Sequence, residues 1–114
     1  MNDRLKQEED PRMVPSREDM ALSVDEAEWG WLRAHLERGG LIIVEPYLDI
    51  VDVGLMLAAD DADSIRKLIA DNRLTKPSPA QIATWDDNRS KRFLSLIVSP
   101  YVLIQENPER AFHC

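Results

Sequence analysis

Residues 92–105, RFLSLIVSPYVLIQ, constrain the fold more than any other stretch of the chain. Phe93 to Val98 and Tyr101 to Ile104 are dense in β-branched and aromatic residues, which suit a pleated, half-buried surface. With a period of two, Leu94, Leu96, Val98, Val102 and Ile104 point one way, and Phe93, Ser95, Ile97, Tyr101 and Leu103 the other. Both faces are apolar, so the stretch is expected inside the molecule. Pro100 has no N–H for a ladder and marks a bulge, an edge or a turn between two short strands.

Upstream, Ser23 and Glu26 have the spacing of a capping box, and Asp25, Glu26 and Glu28 suit the positive end of a helix dipole. Trp29, Leu32 and Leu36, beside Trp31 and His35, recur at helical spacing. This predicts a first helix over 24–38, closed by Gly39-Gly40 with glycine at the left-handed C′ position. Residues 41–44, LIIV, form a short bounded apolar run that reads as a buried strand. Residues 46–59 fit either a strand or a helix. Fourteen residues favour the helix, with Pro46 at its first position, Asp49, Asp52, Met56 and Asp60 outside, and Ile50, Val53, Gly54 and Leu57 inside. Asp60 or Asp61 caps a third helix running to Asn72-Arg73, with Ile65, Leu68 and Ile69 inward. Leu74 to Pro77 is a connector. Ser78 and Gln81 form a second capping box, with Pro79 at the first helical position and Ile82 and Trp85 on the buried side.

These elements add up to an α+β domain over 21–106, four helices packed on a small, mainly antiparallel sheet of 41–44 and 93–104. The element order also fits a winged helix-turn-helix. Residues 1–20 mix charges with Pro11 and Pro15 and read as a flexible tail, and 107–114 as a second tail.

At 114 residues with a formal net charge of −7, the chain is expected to form one domain and to avoid nucleic acid. Phosphate binding needs clustered Lys and Arg, whereas the third helix offers only Arg66 and Lys67 after three aspartates. One cysteine, Cys114, precludes an internal disulfide. No secretory signal precedes the domain and no run is long enough to insert in a membrane, so a reduced, cytoplasmic setting is expected.

Motifs for chemistry are sparse. Gly30, Gly39, Gly40 and Gly54 match neither dinucleotide nor P-loop spacing, and no serine sits in a nucleophile elbow. Neither His35 nor His113 has a second histidine four residues on, and no metal or cofactor is implied. The acidic run from Asp60 to Asp63 fails as a calcium loop, since Arg66 stands where glycine is needed and Asn72 where glutamate is needed. Asp49 and Asp52, one helical turn apart, could serve acid–base or ligand chemistry with His35, against the plainer reading of a solvated helix face. Trp29 and Trp31, at i and i+2, cannot both face the core from one helix. If one is exposed it offers an aromatic anchor beside Asp25, Glu26 and Glu28, suited to a protein partner; otherwise both flank a wide buried stripe. A non-enzymatic interaction or assembly module is the leading reading, and a small-molecule or enzymatic site at Asp49, Asp52 and His35 is the alternative.

Residues 28–32 (EWGWL), 41–44 (LIIV), 48–54 (LDIVDVG), Asp60 with Ile65, and 99–106 (SPYVLIQE) together resemble the bacterial family known as domain of unknown function 2288. The Val-Asp-Val-Gly and Pro-Tyr-Val-Leu-Ile-Gln-Glu segments are similar to cyanobacterial members. The resemblance spans about 24–106 and implies a compact standalone domain. It brings no catalytic residues with it.

Overall fold

The computed structural model describes residues 15–106. The stretch 92–105 forms two antiparallel strands, here β4 (Arg92–Val98) and β5 (Tyr101–Gln105). They lie second and third in a five-stranded sheet whose other members are β1 (Asp25–Glu28), β2 (Leu41–Val44) and β3 (Leu74–Thr75). The order is β1-β4-β5-β2-β3, with β5–β2 parallel and the other three pairings antiparallel. Among the described residues there are five helices: α1 (Arg17–Leu22), α2 (Trp29–Glu37), α3 (Ile50–Ala58), α4 (Ala62–Ala70) and α5 (Pro79–Asp86). The class is α+β and the sheet mainly antiparallel, as expected.

Both faces of the sheet are covered. Leu96, Leu103, Val44 and Leu74 pack against Met20 of α1 and Ile50, Val51 and Val53 of α3, with Ile65 and Leu68 of α4 at the margin. On the other face Phe93, Val102, Ile104 and Leu41 pack against Trp29 and Leu32 of α2 and Trp85 of α5. The sheet is thus the middle of three layers. The α3–α4 pair does have a helix-turn-helix appearance, but a winged helix places its hairpin beside a helical bundle. Here the hairpin is the centre.

The expected faces of β4 and β5 need one correction. Val98 pairs with Tyr101 and Leu96 with Leu103. Directly opposed residues share a face, so Leu94, Leu96 and Val98 lie with Tyr101, Leu103 and Gln105. The Ser99–Pro100 turn, with a cis peptide bond, exchanges odd and even parity between the strands.

The expected helix over 24–38 is two elements. Ser23 does not cap it; Ser23 is the C-cap of α1, and 25–28 form the edge strand β1 against β4. Helix α2 begins only at Trp29, and Glu28 supplies no side-chain cap. Its first amides are satisfied from elsewhere: Trp29 N–H donates to the Lys91 carbonyl (2.8 Å) and Gly30 N–H to that of Arg89 (2.9 Å). Carbonyls of a distant strand entrance replace the cap. Gly39, at φ +82°, does take the left-handed position past α2. Gly40 follows because a Cβ there would lie 2.6 Å from the Pro100 carbonyl oxygen.

Helix α1 crosses the expected boundary at residue 20. Ser16 caps it by accepting from the Asp19 amide, and Met20 is buried in the core, so 17–20 belong to the folded unit. Residues 1–14 and 107–114, the rest of the two expected tails, lie outside the described residues. The helical reading of 46–59 holds with a later start. Asp49 is the N-cap, accepting from Val51 N–H at 2.9 Å, and Pro46 sits in the preceding turn. Asp61 caps α4 and the Ser78–Gln81 capping box opens α5, both as the spacing predicts. Leu74 and Thr75, expected as connector, pair with Val44 and Ile43 to form the far edge of the sheet.

Candidate functional site

Trp29 and Trp31 part company. Trp29 is fully buried, with its ring centroid 4.9 Å from Trp85 in an edge-to-face arrangement and 6.1 Å from Phe93. Its indole N–H donates to Asp86 at 2.8 Å, and Arg33 Nε donates to the same carboxylate at 3.0 Å. A buried indole needs such a polar outlet. The Trp29 hydrogen bond, with lesser help from Arg33, holds the Asp86 carboxyl below the ordinary carboxylate range. Asp61 is lowered as well, chiefly by its hydrogen bonds with Ser64 at the start of α4. Helix and core structure account for both shifts, so neither points to catalysis.

Trp31 is 52% exposed and lies against His35 in a tilted arrangement, with ring centroids 4.7 Å apart. It overlooks an open groove of about 680 Å³ beside β1, lined by Ser23, Asp25, Ala27, Trp31, Ser95 and Ile97 together with Glu26 and Glu28. Ile97, on β4, is 53% exposed and gives the groove an apolar floor next to the indole. The register explains this arrangement. Asp25 and Ala27 oppose Ser95 and Phe93 on the α2 side of the sheet, whereas Glu26 and Glu28 oppose Leu94 and Arg92 on the other. Arg92 pairs with both of those glutamates, at 3.4 and 3.9 Å. Asp25 accepts from the Glu26 amide at 2.8 Å. Among the described residues no strand pairs with the outer side of β1. Its acidic side chains are the kind that discourage an edge from pairing with a copy of itself. Sequence reasoning singled out Trp29 and Trp31 as a pair, with Asp25, Glu26 and Glu28 beside them, without saying which tryptophan is exposed. It missed Ile97, because an isoleucine in a strand looks like core until its 53% exposure is seen.

The alternative constellation does not assemble. His35 belongs to α2, on one face of the sheet, while Asp49 and Asp52 belong to α3, on the other. The two aspartates are not merely solvated either. Arg17 of α1 bridges both, with 3.2 Å to Asp49, and so fastens α1 to the start of α3. No group of three or more His, Cys, Asp or Glu side chains among the described residues is placed to hold a metal ion. No helix among them is long and apolar enough to cross a membrane.

Fold and surface together define a small three-layer α+β domain with an open, acid-rimmed groove at one edge of its sheet. The chain belongs to the DUF2288 family, proteins of unknown function, whose family model matches residues 15–106. It is similar to PA1075 from Pseudomonas aeruginosa, whose solution structure was determined by NMR, with a TM-score of 0.68 and 23% identity over 92% of this chain and 93% of that one. At that identity the likeness shows the fold. A comparison with curated proteins found no match.

Proposed function

We propose that this domain is a non-enzymatic interaction module of the cytoplasm that captures a protein partner in the groove between β1 and Trp31. The observation that carries this reading is Trp31 itself, half exposed over Ile97 while its near neighbour Trp29 is sealed in the core. Large, rigid aromatic side chains at the centre of an apolar patch are the usual anchors of protein interfaces. Asp25 and Glu28 rim the patch, so the partner it suits brings an apolar side chain flanked by Lys or Arg. A second copy of this chain would set acid against acid.

Trp31→Ala tests the proposal. Half-exposed Trp31 supports little of the core, so thermal unfolding is expected to change by no more than ~0.5 kcal/mol. Capture of a basic partner from the native host is expected to weaken by about 2 kcal/mol, or roughly 30-fold. Equal capture by wild type and variant overturns the proposal.

A further inference from the structure

Helix α4 carries Ile65, Leu68 and Ile69 on its inner side, yet none of its nine residues is fully buried. The cause lies beneath it. The strand at that edge of the sheet, β3, is only two residues long and cannot cover a helix of about two and a half turns. Helix α4 ends in a Schellman-type turn: Asn72 has φ +62° and Arg73 N–H reaches back to the Leu68 carbonyl at 2.8 Å. The chain then turns down into β3 and leaves a cleft between the helix and the sheet.

That cleft encloses about 360 Å³. Ile42, Leu57, Ile65, Ile69 and Leu74 make its walls, contributed by four different elements. Asn72, Thr75 and Lys76 stand at its rim. A preformed, mostly aliphatic concavity of this size with a few convergent polar groups is the usual form of a small-molecule site. Lys76 is the one charged residue lining it, and it makes no ion pair among the described residues. The contrast with the groove at β1 is one of sign, since there all the charged lining residues are acids.

We propose that this cleft binds a small monoanionic amphiphile, an unbranched aliphatic chain ending in a carboxylate. The chain lies along Ile42, Leu57, Ile65 and Ile69, and the carboxylate sits at the mouth beside Lys76, within reach of the Thr75 hydroxyl and the Asn72 amide. Chain burial supplies the affinity, at about 4-fold per methylene removed from water. The exposed lysine adds only a few-fold but selects the sign of the head group.

Titrating the full chain with hexanoate, octanoate and decanoate, each below its micellar concentration, tests the proposal while methyl resonances are followed by NMR. The expected result is a saturable shift of the Ile42, Ile65 and Ile69 methyls, with affinity rising about 4-fold for each added methylene. Decanoate is expected to bind more tightly than decylammonium, and Lys76→Glu to reverse that order without altering the unfolding temperature. Ile69→Glu, a change at a side chain already 53% exposed, is expected to abolish decanoate binding in a folded protein. No saturable shift at these methyls, affinity independent of chain length, or an unchanged head-group preference in Lys76→Glu overturns it. The β1 groove lies at the opposite edge of the sheet, so failure here leaves the partner reading to its own test.

Discussion

The two faces of the sheet are filled by different means. The α2–α5 face is aromatic. Trp85 meets Trp29 and Phe93 edge-to-face at 4.9 Å, Trp29 and Phe93 lie tilted at 6.1 Å, and one polar outlet at Asp86 fixes where the Trp29 ring sits. The α1–α3 face is aliphatic and depends on close approach. Gly54 lets α3 press so near the sheet that a Cβ there would come within 2.5 Å of Leu96 Cδ2 and 3.1 Å of Met20 Sδ. One face is specified by ring geometry and a hydrogen bond, the other by the absence of a side chain. The first should fail when something is removed, the second when something is added.

The largest effect is expected from Trp29→Ala. Removing a fully buried indole loses its transfer free energy and leaves a cavity beside Trp85 and Phe93, costing roughly 3–5 kcal/mol in urea unfolding. A loss under about 1 kcal/mol would mean that the aromatic face can collapse, and the contrast between the faces would disappear. Gly54→Ala is expected to cost less. Overpacking costs about 1–3 kcal/mol, offset by up to ~1 kcal/mol because alanine is the better helix former. Since the clashing atoms are the ends of flexible side chains, the net loss expected is ~1 kcal/mol. Adding Met20→Ala should make the two changes non-additive by relieving the crowding.

The smallest effect is the share of the acid dependence that belongs to the aromatic face. Asp86 titrates lower in the folded protein than in the unfolded chain. Its contribution to stability is therefore present above the unfolded value, near pH 4, and is lost as pH falls through the lower folded value. Asp86→Asn should flatten the fall in urea midpoint on acidification below pH 4 without abolishing it, because Asp61 is lowered too. An unchanged acid limb would show that the Trp29–Asp86–Arg33 contact carries no linkage.

Much of this was legible from local sequence. The Ser78–Gln81 box, the Asp61 cap and Gly39 at the left-handed position all follow from rules acting within a few residues, and each appears as expected. The failures are instructive because their local signals were equally good. Ser23 and Glu26 have the same spacing as Ser78 and Gln81, yet β4 engages 25–28 from across the sequence and the Lys91 and Arg89 carbonyls satisfy α2. Helix α1 escaped notice because Met20 is its only buried residue. The parity exchange at Ser99–Pro100 depends on turn length rather than on any residue preference. At the surface, the sequence points to the Trp29–Trp31 pair and the acids beside it, but the exposure of Ile97 and the cleft under α4, where β3 ends after two residues, depend on the assembled fold. No spacing rule records such an ending.

The strand order carries a consequence for how the domain comes into being. In β1-β4-β5-β2-β3, the hairpin that joins the two halves of the sheet is made from the last two strands of the described residues. Until β4 and β5 arrive, β1 and β2 have no common neighbour, Trp29 has no Phe93 beside it, and LIIV has only the two-residue β3 for a partner. A ribosome must release nearly the whole domain before any sheet worth the name can close. The domain is therefore expected to fold as a unit only once β4 and β5 have been made, and a fragment stopping at residue 90 is not a smaller domain but an unfinished one.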